Sequence, residues 1–180
     1  MTERLVPYQP LDLQEPADLV AAIRKRRGGD LINLDRMLLH STPFSRGWNA
    51  FLGEVRSHLS LPLKLRELAM CGVAVLNRAD YEFLHHSPIF IKAGGTEAQV
   101  NALRTLGSQA MSEGLFTPLE SDALDLTIQM TKSIEVDQAL MKRLQDQLGN
   151  TQLVELVGVI ATYNMVSRFL VALDVTPDGH

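Results

Sequence analysis

Apolar positions recur along this chain at intervals of three and four, the period of an amphipathic helix. Leu19, Val20 and Ile23 share a face in ADLVAAIRKRR, and Leu31, Leu34 and Leu38 do so in the next segment. Trp48, Phe51, Leu52 and Val55 follow at the same spacing. Nowhere does strict alternation run between hairpin turns, so the fold class predicted is all-α. Prolines and glycines divide the pattern. Pro16, Pro43 and Pro118 suit the first turn of a helix, and Gly28-Gly29 and Gly94-Gly95 suit its end. The predicted helices cover Pro16–Arg27, Leu31–His40, Phe44–His58, Leu63–Leu76, Asp80–Ala93, Thr96–Gly107, Pro118–Lys132, Val136–Leu148 and Thr151–Leu173. Asp80 and Thr96 are expected N-caps. Gly107 to Phe116 is expected to be a loop or short turn. Residues 1–15, with Pro7 and Pro10, read as an extended arm over their own domain or a neighbouring subunit; 16–174 form one helical domain and 175–180 a tail.

The last helix, VELVGVIATYNMVSRFLVAL, is apolar on most faces, as expected of a central core helix or a subunit contact. LPLKLRELAMCGVAV and TPLESDALDLTIQM resemble each other weakly, consistent with a repeated helical hairpin.

Composition narrows the class without naming a chemistry. A chain of 180 residues with 46% apolar and 21% charged residues can bury a core and does not read as disordered. A net charge of -4 gives no electrostatic reason for a nucleic-acid partner. The basic run Arg24–Arg27 sits in a last helical turn, where it complements the helix dipole and faces solvent. A single cysteine forms no internal disulfide, which suits a reducing, cytoplasmic setting. The apolar runs are broken before the ~18 residues of a membrane span, so a soluble chain with no membrane partner is expected.

Chemistry concentrates between Leu63 and Thr96. This stretch holds the only cysteine, Cys71, with His85, His86 and two acids, Glu67 and Glu82, in apolar surroundings. Glu82 and His86 lie one turn apart on one helix face, and a carboxylate beside an imidazole orients the ring for acid/base work. Glu67 stands on the preceding helix, from which a hairpin folds it back onto that pair. The bland alternative for Glu82 and His86 is a surface pair worth ~0.3–0.5 kcal/mol. His40 is expected to bond a carbonyl at a helix end. Glu82-x-x-His85 has the spacing of a di-iron helix, but the second Glu-x-x-His is missing, and no metal or other cofactor is expected. Cys71 without a second thiol is expected to be a buried structural residue.

The segments R-E-L-A at 66–69, Y-E-F-L-H-H at 81–86 and A-G-G-T-E at 93–97 occur in an order that resembles the carboxymuconolactone decarboxylase / alkylhydroperoxidase D-like superfamily. Y-N-M-V-S-R-F at 163–169 is similar to the closing helix of its longer members. The resemblance implies an all-helical bundle that forms homo-oligomers and acts on a small molecule. Placing the family histidine on His86 puts the family glutamate at Glu67 and its two thiols at Ala79 and Glu82, so the C-x-x-C is absent. The expected enzyme is therefore decarboxylase- or isomerase-like, moving a proton on a small carboxylate or lactone. Glu67, Glu82 and His86 are the catalytic candidates: His86 moves the proton, Glu82 orients it, and Glu67 relays it or stays neutral. Tyr81, His85 and Arg168 are candidates to bind substrate. The alternatives are peroxide reduction through Cys71 and a non-catalytic oligomeric binding protein.

Overall fold

A computed structural model describes residues 4–108 and 114–177; residues 109–113, within the expected Gly107–Phe116 loop, and the ends of the arm and tail lie outside the described residues. Eight helices succeed one another: α1 (Ala17–Arg27), α2 (Asn33–Leu38), α3 (Thr42–Ser57), α4 (Leu63–Leu76), α5 (Asp80–Lys92), α6 (Glu97–Leu103), α7 (Pro118–Lys132) and α8 (Gln138–Ala172). No strand occurs among the described residues. The all-α class read from the periodicity is the class observed. α8 is broken at Gly149 (φ 72°, ψ 175°), so its arms, 138–148 and 150–172, are the two helices predicted separately.

The chain divides into two compact units, one of residues 1–58 with 170–180 and the other of residues 59–169. In the first, α1 packs Leu19, Val20 and Ile23 against Leu31 and Leu39. The arm is strapped to this unit. The guanidinium groups of Arg4 and Arg36 stand over the Tyr8 ring, 4.5 and 5.0 Å from its centre, and its hydroxyl accepts from Thr176 N at 2.9 Å. His40 takes the Pro7 carbonyl at Nε2, 2.7 Å away. That carbonyl comes from the arm rather than from the histidine's own helix.

The basic run lies in the last turn of α1 and is solvated in part: Lys25 and Arg26 are exposed, while Arg24 and Arg27 are half-buried against partners. Arg24 donates to the Leu11 and Leu13 carbonyls of the arm. Arg27 Nε donates to Asp35 Oδ2 at 2.9 Å, and Arg26 Nη2 to Asp35 Oδ1 at 3.3 Å. Asp35 is only 1% exposed. A buried acid recruits these arginines because an uncompensated charge in the interior is costly.

The second unit is built on the hairpin of α4 and α5. Asp80 is not the cap expected of it; it is the first helical residue, with Ala79 in the capping position. The helix starts one residue earlier than the spacing predicts, so the capping position falls on an alanine, which has no side-chain acceptor. Arg78 takes φ 56°, Ala79 N returns to the Ala74 carbonyl at 2.8 Å, and the Ala79 carbonyl already receives the amide of Glu82. Asn77 fixes the turn by donating to Asn164 Oδ1 (3.0 Å) and Ser167 Oγ (2.7 Å) of α8. At the other end Glu155 of α8 accepts from Ser60 N and Leu61 N at 3.1 and 2.7 Å, fixing where α4 begins.

The two helices that resemble each other in sequence, α4 and α7, pack directly on one another. Gly72 lies in this contact, where a Cβ would stand 3.1 Å from Thr127 Cγ2. Thr96 caps α6 as expected, in a capping box with Gln99. By length and composition α8 is the one helix among the described residues that could cross a membrane. Leu156, Val159, Ile160, Tyr163 and Val166, however, are buried in the protein itself, the pattern of a core helix.

The end of α5 makes a direct prediction. Gly94 adopts φ 101° and Gly95 N bonds the Phe90 carbonyl at 2.9 Å. A Cβ on Gly95 would fall 2.4–2.7 Å from the fully buried Phe90 ring. Gly95→Ala is expected to destabilise the protein by about 1–3 kcal/mol through overpacking, read as a lower urea midpoint with an unchanged m-value. An unchanged midpoint would mean that the Phe90 ring gives way freely.

Candidate functional site

α4 presents Glu67 and, one turn later, Cys71; α5 presents Glu82 and, one turn later, His86. The three-residue turn brings the two helices alongside, and Glu67 Oε2 meets His86 Nδ1 at 2.7 Å. Both side chains are withdrawn from water, with exposures of 6% and 12%. A charge-assisted hydrogen bond of this length outweighs an exposed i,i+4 pair, at about 1.5–3 kcal/mol. Glu67 Oε2 is the partner of Nδ1, so a proton on that nitrogen points at the carboxylate, and Nε2 is the ring's other nitrogen. This corrects the division of labour drawn from spacing, in which Glu82 orients the ring. The carboxylate that reaches Nδ1 comes from the facing helix.

Glu82 is 2% exposed, so the surface-pair alternative does not describe it. The charges of both Glu67 and Glu82 are felt at Cys71. Burial first, then the negative charge of Glu67 and of Glu82, pushes the Cys71 thiol far up from its ordinary value. Cys71 has no exposed surface. A thiol that is both buried and held protonated is a poor nucleophile, as the structural reading of Cys71 expects. At the two positions where the resemblance places the family thiols, Ala79 and Glu82 are both buried.

The state of Cys71 gives a pH-dependent prediction. With its pKa raised in the folded chain, the folded state keeps this proton where the unfolded chain loses it. The stabilisation is fully present below the ordinary thiol value of about 8.5 and is lost as pH rises above it. The slope approaches about 1.4 kcal/mol per pH unit. Cys71→Ala should flatten that part of the curve, measured by urea unfolding between pH 8 and 10. An equally steep fall in the variant would assign it to other groups.

The substrate-binding candidates separate. Tyr81 is buried and stacks on His85, ring centres 4.3 Å apart at 18°. His85 is exposed, and its Nδ1 bonds the Tyr81 carbonyl at 2.7 Å. Both therefore stay on α5 close to His86. Arg168 does not join them. It is exposed and its Nη1 donates to the Asn164 carbonyl, 2.9 Å away on its own helix. Five residues of α-helix turn it about 140° from Tyr163, the α8 residue that does reach the site. Glu54 and His58, a further acid–histidine pair, meet at 2.8 Å but are both solvent-exposed.

Reading by periodicity alone missed Tyr163. It is completely buried and meets His86 edge to face, ring centres 4.9 Å apart at 85°. In sequence it is a polar interruption in the most apolar helix, and that interruption was its only signal.

Residues 42–127 match the model of the carboxymuconolactone decarboxylase family. Among solved structures the chain is similar to an uncharacterized peroxidase-related protein from Silicibacter sp. TM1040. The TM-score is 0.77 at 17% identity over 99% of this chain and 96% of that one. It is similar also to an uncharacterized peroxidase-related protein with an alkylhydroperoxidase AhpD core from Ralstonia eutropha JMP134 (TM-score 0.77, 16% identity, 96% and 92% covered). A third is the debrominase Bmp8, as a variant in complex with 2,3,4-tribromopyrrole (TM-score 0.75, 15% identity, 98% and 95% covered). At these identities the likeness is one of fold. No curated protein matches the sequence.

Proposed function

For a chain whose residues 42–127 match the model of the carboxymuconolactone decarboxylase family, we propose an enzyme that transfers a proton at a carbon beside a carbonyl. Its substrate is a small carboxylate or lactone, reacting with or without loss of carbon dioxide. The observation that carries this reading is the 2.7 Å bond between Glu67 Oε2 and His86 Nδ1 in a site almost closed to water. His86 Nε2 takes the proton from carbon, the charge develops on the imidazole, and Glu67 stabilises it across the hairpin. The same nitrogen returns the proton to the product, so acid and base balance with no external redox partner. Glu82, one turn before His86 on α5, adds a second buried carboxyl, and Tyr81 and the exposed His85 stack on each other on the same helix.

Peroxide reduction through Cys71 is the weaker reading, because that sulfur is buried and its thiolate is disfavoured. Self-association accompanies the proposed activity. Exposed Leu84 and Ile89 on α5, close in sequence to His86, are the apolar surface that supports it.

The test is substrate-blind. Small keto acids and unsaturated lactones are incubated with the protein in deuterium oxide and followed by proton NMR for loss of signal at the carbon beside the carbonyl. Exchange that depends on His86 supports the reading. Equal exchange by wild type and His86→Asn, or turnover of hydroperoxides abolished by Cys71→Ser, would replace it.

A further inference from the structure

We propose that Ile134 is a docking knob, received by the exposed apolar face of α8 on a second copy of this chain. The inference gives a place to the self-association proposed above, and rests on that part of the reading alone. Ile134 stands in the turn after α7 with φ 69°. That left-handed region crowds the Cβ of an L-residue and suits a β-branched one least, so glycine or asparagine is the usual occupant after a helix. The turn is nevertheless held in this shape. Ser133 Oγ bonds the Gln129 carbonyl at 2.9 Å and lies 3.2 Å from that of Glu135. Asp137 N donates to Gln129 Oε1 at 2.8 Å. The strained residue gains little from its own chain, because it is 87% exposed. A cost that every folded copy carries, without an internal contact to offset it, points to a contact in another molecule.

The same unit, residues 59–169, exposes a surface that fits the knob. Val154, Gly158, Ala161, Met165 and Arg168 recur at intervals of three and four, on the face of α8 opposite its buried Leu156, Val159, Ile160 and Tyr163. Val154 and Met165 are 70% and 39% exposed. Between them Gly158 leaves a gap, where a Cβ would meet nothing within 4 Å. A branched apolar side chain fits that gap, and the charges around it match. Exposed Glu135 and Asp137 flank Ile134, while exposed Arg168 ends the α8 face. Arg168 commits only Nη1 to its own chain among the described residues. Every copy carries both halves, so two copies exchange knob for gap in an isologous pair.

Sedimentation equilibrium and urea unfolding of the full-length protein supply the test. Ile134→Asn keeps a residue that accepts the left-handed turn and removes the apolar knob. It is expected to weaken association about 10–100-fold, while the dilute protein unfolds at a higher urea midpoint because the strain is gone. An exposed residue without a partner would show the second change and not the first. Gly158→Leu fills the gap from a position open to solvent, and should weaken association to a similar degree with folding retained. Arg168→Glu should weaken it too, and adding Glu135→Arg to that variant should recover it.

A wild-type chain that stays monomeric would overturn both this inference and the self-association it rests on. Association left unchanged by Ile134→Asn and Gly158→Leu would overturn the inference alone, and leave the contact to Leu84 and Ile89 of α5. Weakening by Ile134→Asn but not by Gly158→Leu would remove the α8 face as the receiving surface. A urea midpoint that fails to rise in Ile134→Asn would overturn the inference as well, since no strain would have been released. None of these outcomes touches the proton-transfer reading, which the exchange experiment decides separately.

Discussion

His86→Asn is expected to lower the rate of proton exchange by about 10²–10⁴-fold and to leave the folded protein standing. The asparagine amide nitrogen takes nearly the place of imidazole Nδ1, so the bond to Glu67 Oε2, now 2.7 Å, has a donor to replace it. What the substitution deletes is Nε2, the atom assigned the substrate proton. Loss of rate with an unchanged melting curve therefore separates chemistry from stability. Glu67→Gln should fall between the two. The amide oxygen can still accept from Nδ1, but no negative charge remains to stabilise the imidazolium, and the loss should appear in kcat more than in KM. A His86→Asn variant as active as wild type would remove the histidine from the mechanism and turn attention to Glu82.

Asp35→Ala is expected to cost about 3–5 kcal/mol, the effect of breaking a buried ion pair from one side. Asp35 is 1% exposed and receives Arg27 through both Nε (2.9 Å) and Nη2 (3.1 Å), as well as Arg26. Its removal leaves two neighbouring cations facing each other in a partly desolvated place. Burial already lowers the Arg26 pKa, with the nearby Arg27 charge adding to that effect and Asp35 opposing it. A loss of this size is a large share of the ~5–15 kcal/mol that holds a domain together. It should lower the melting temperature by about 6–20 °C. Adding Arg27→Leu to Asp35→Ala should recover part of the loss, because one of the stranded charges goes with it. A single variant that melts within a degree or two of wild type would show the cluster to be a solvated one after all.

These two positions mark how far the sequence can be read. Both lie on helices that were predicted from apolar spacing. His86 was also singled out, because a histidine one turn after a buried-looking acid is a local pattern. Asp35 was not, because its partners stand eight and nine residues back in another helix and no short-range rule links them. The same limit explains the exchange of roles between Glu82 and Glu67. Helical spacing reports neighbours on one helix, and the hydrogen bond to Nδ1 crosses from one helix to the other.

The helical class, the order of the helices, the break between the two arms of α8 and the stretch that carries Glu67, Glu82 and His86 are all legible along the chain. These follow from the 3.6-residue period, from proline and glycine at helix ends, and from motif order, all of them short-range properties. That Glu67 bonds His86, that Tyr163 meets its ring, that Arg168 bonds back to its own helix and that Cys71 is sealed from solvent emerge in the packed helices alone. Each depends on how α4, α5 and α8 face one another. That is set by the tight turn at Arg78 together with the amide clamp from Asn77 to Asn164 and Ser167, a contact between residues far apart in the chain.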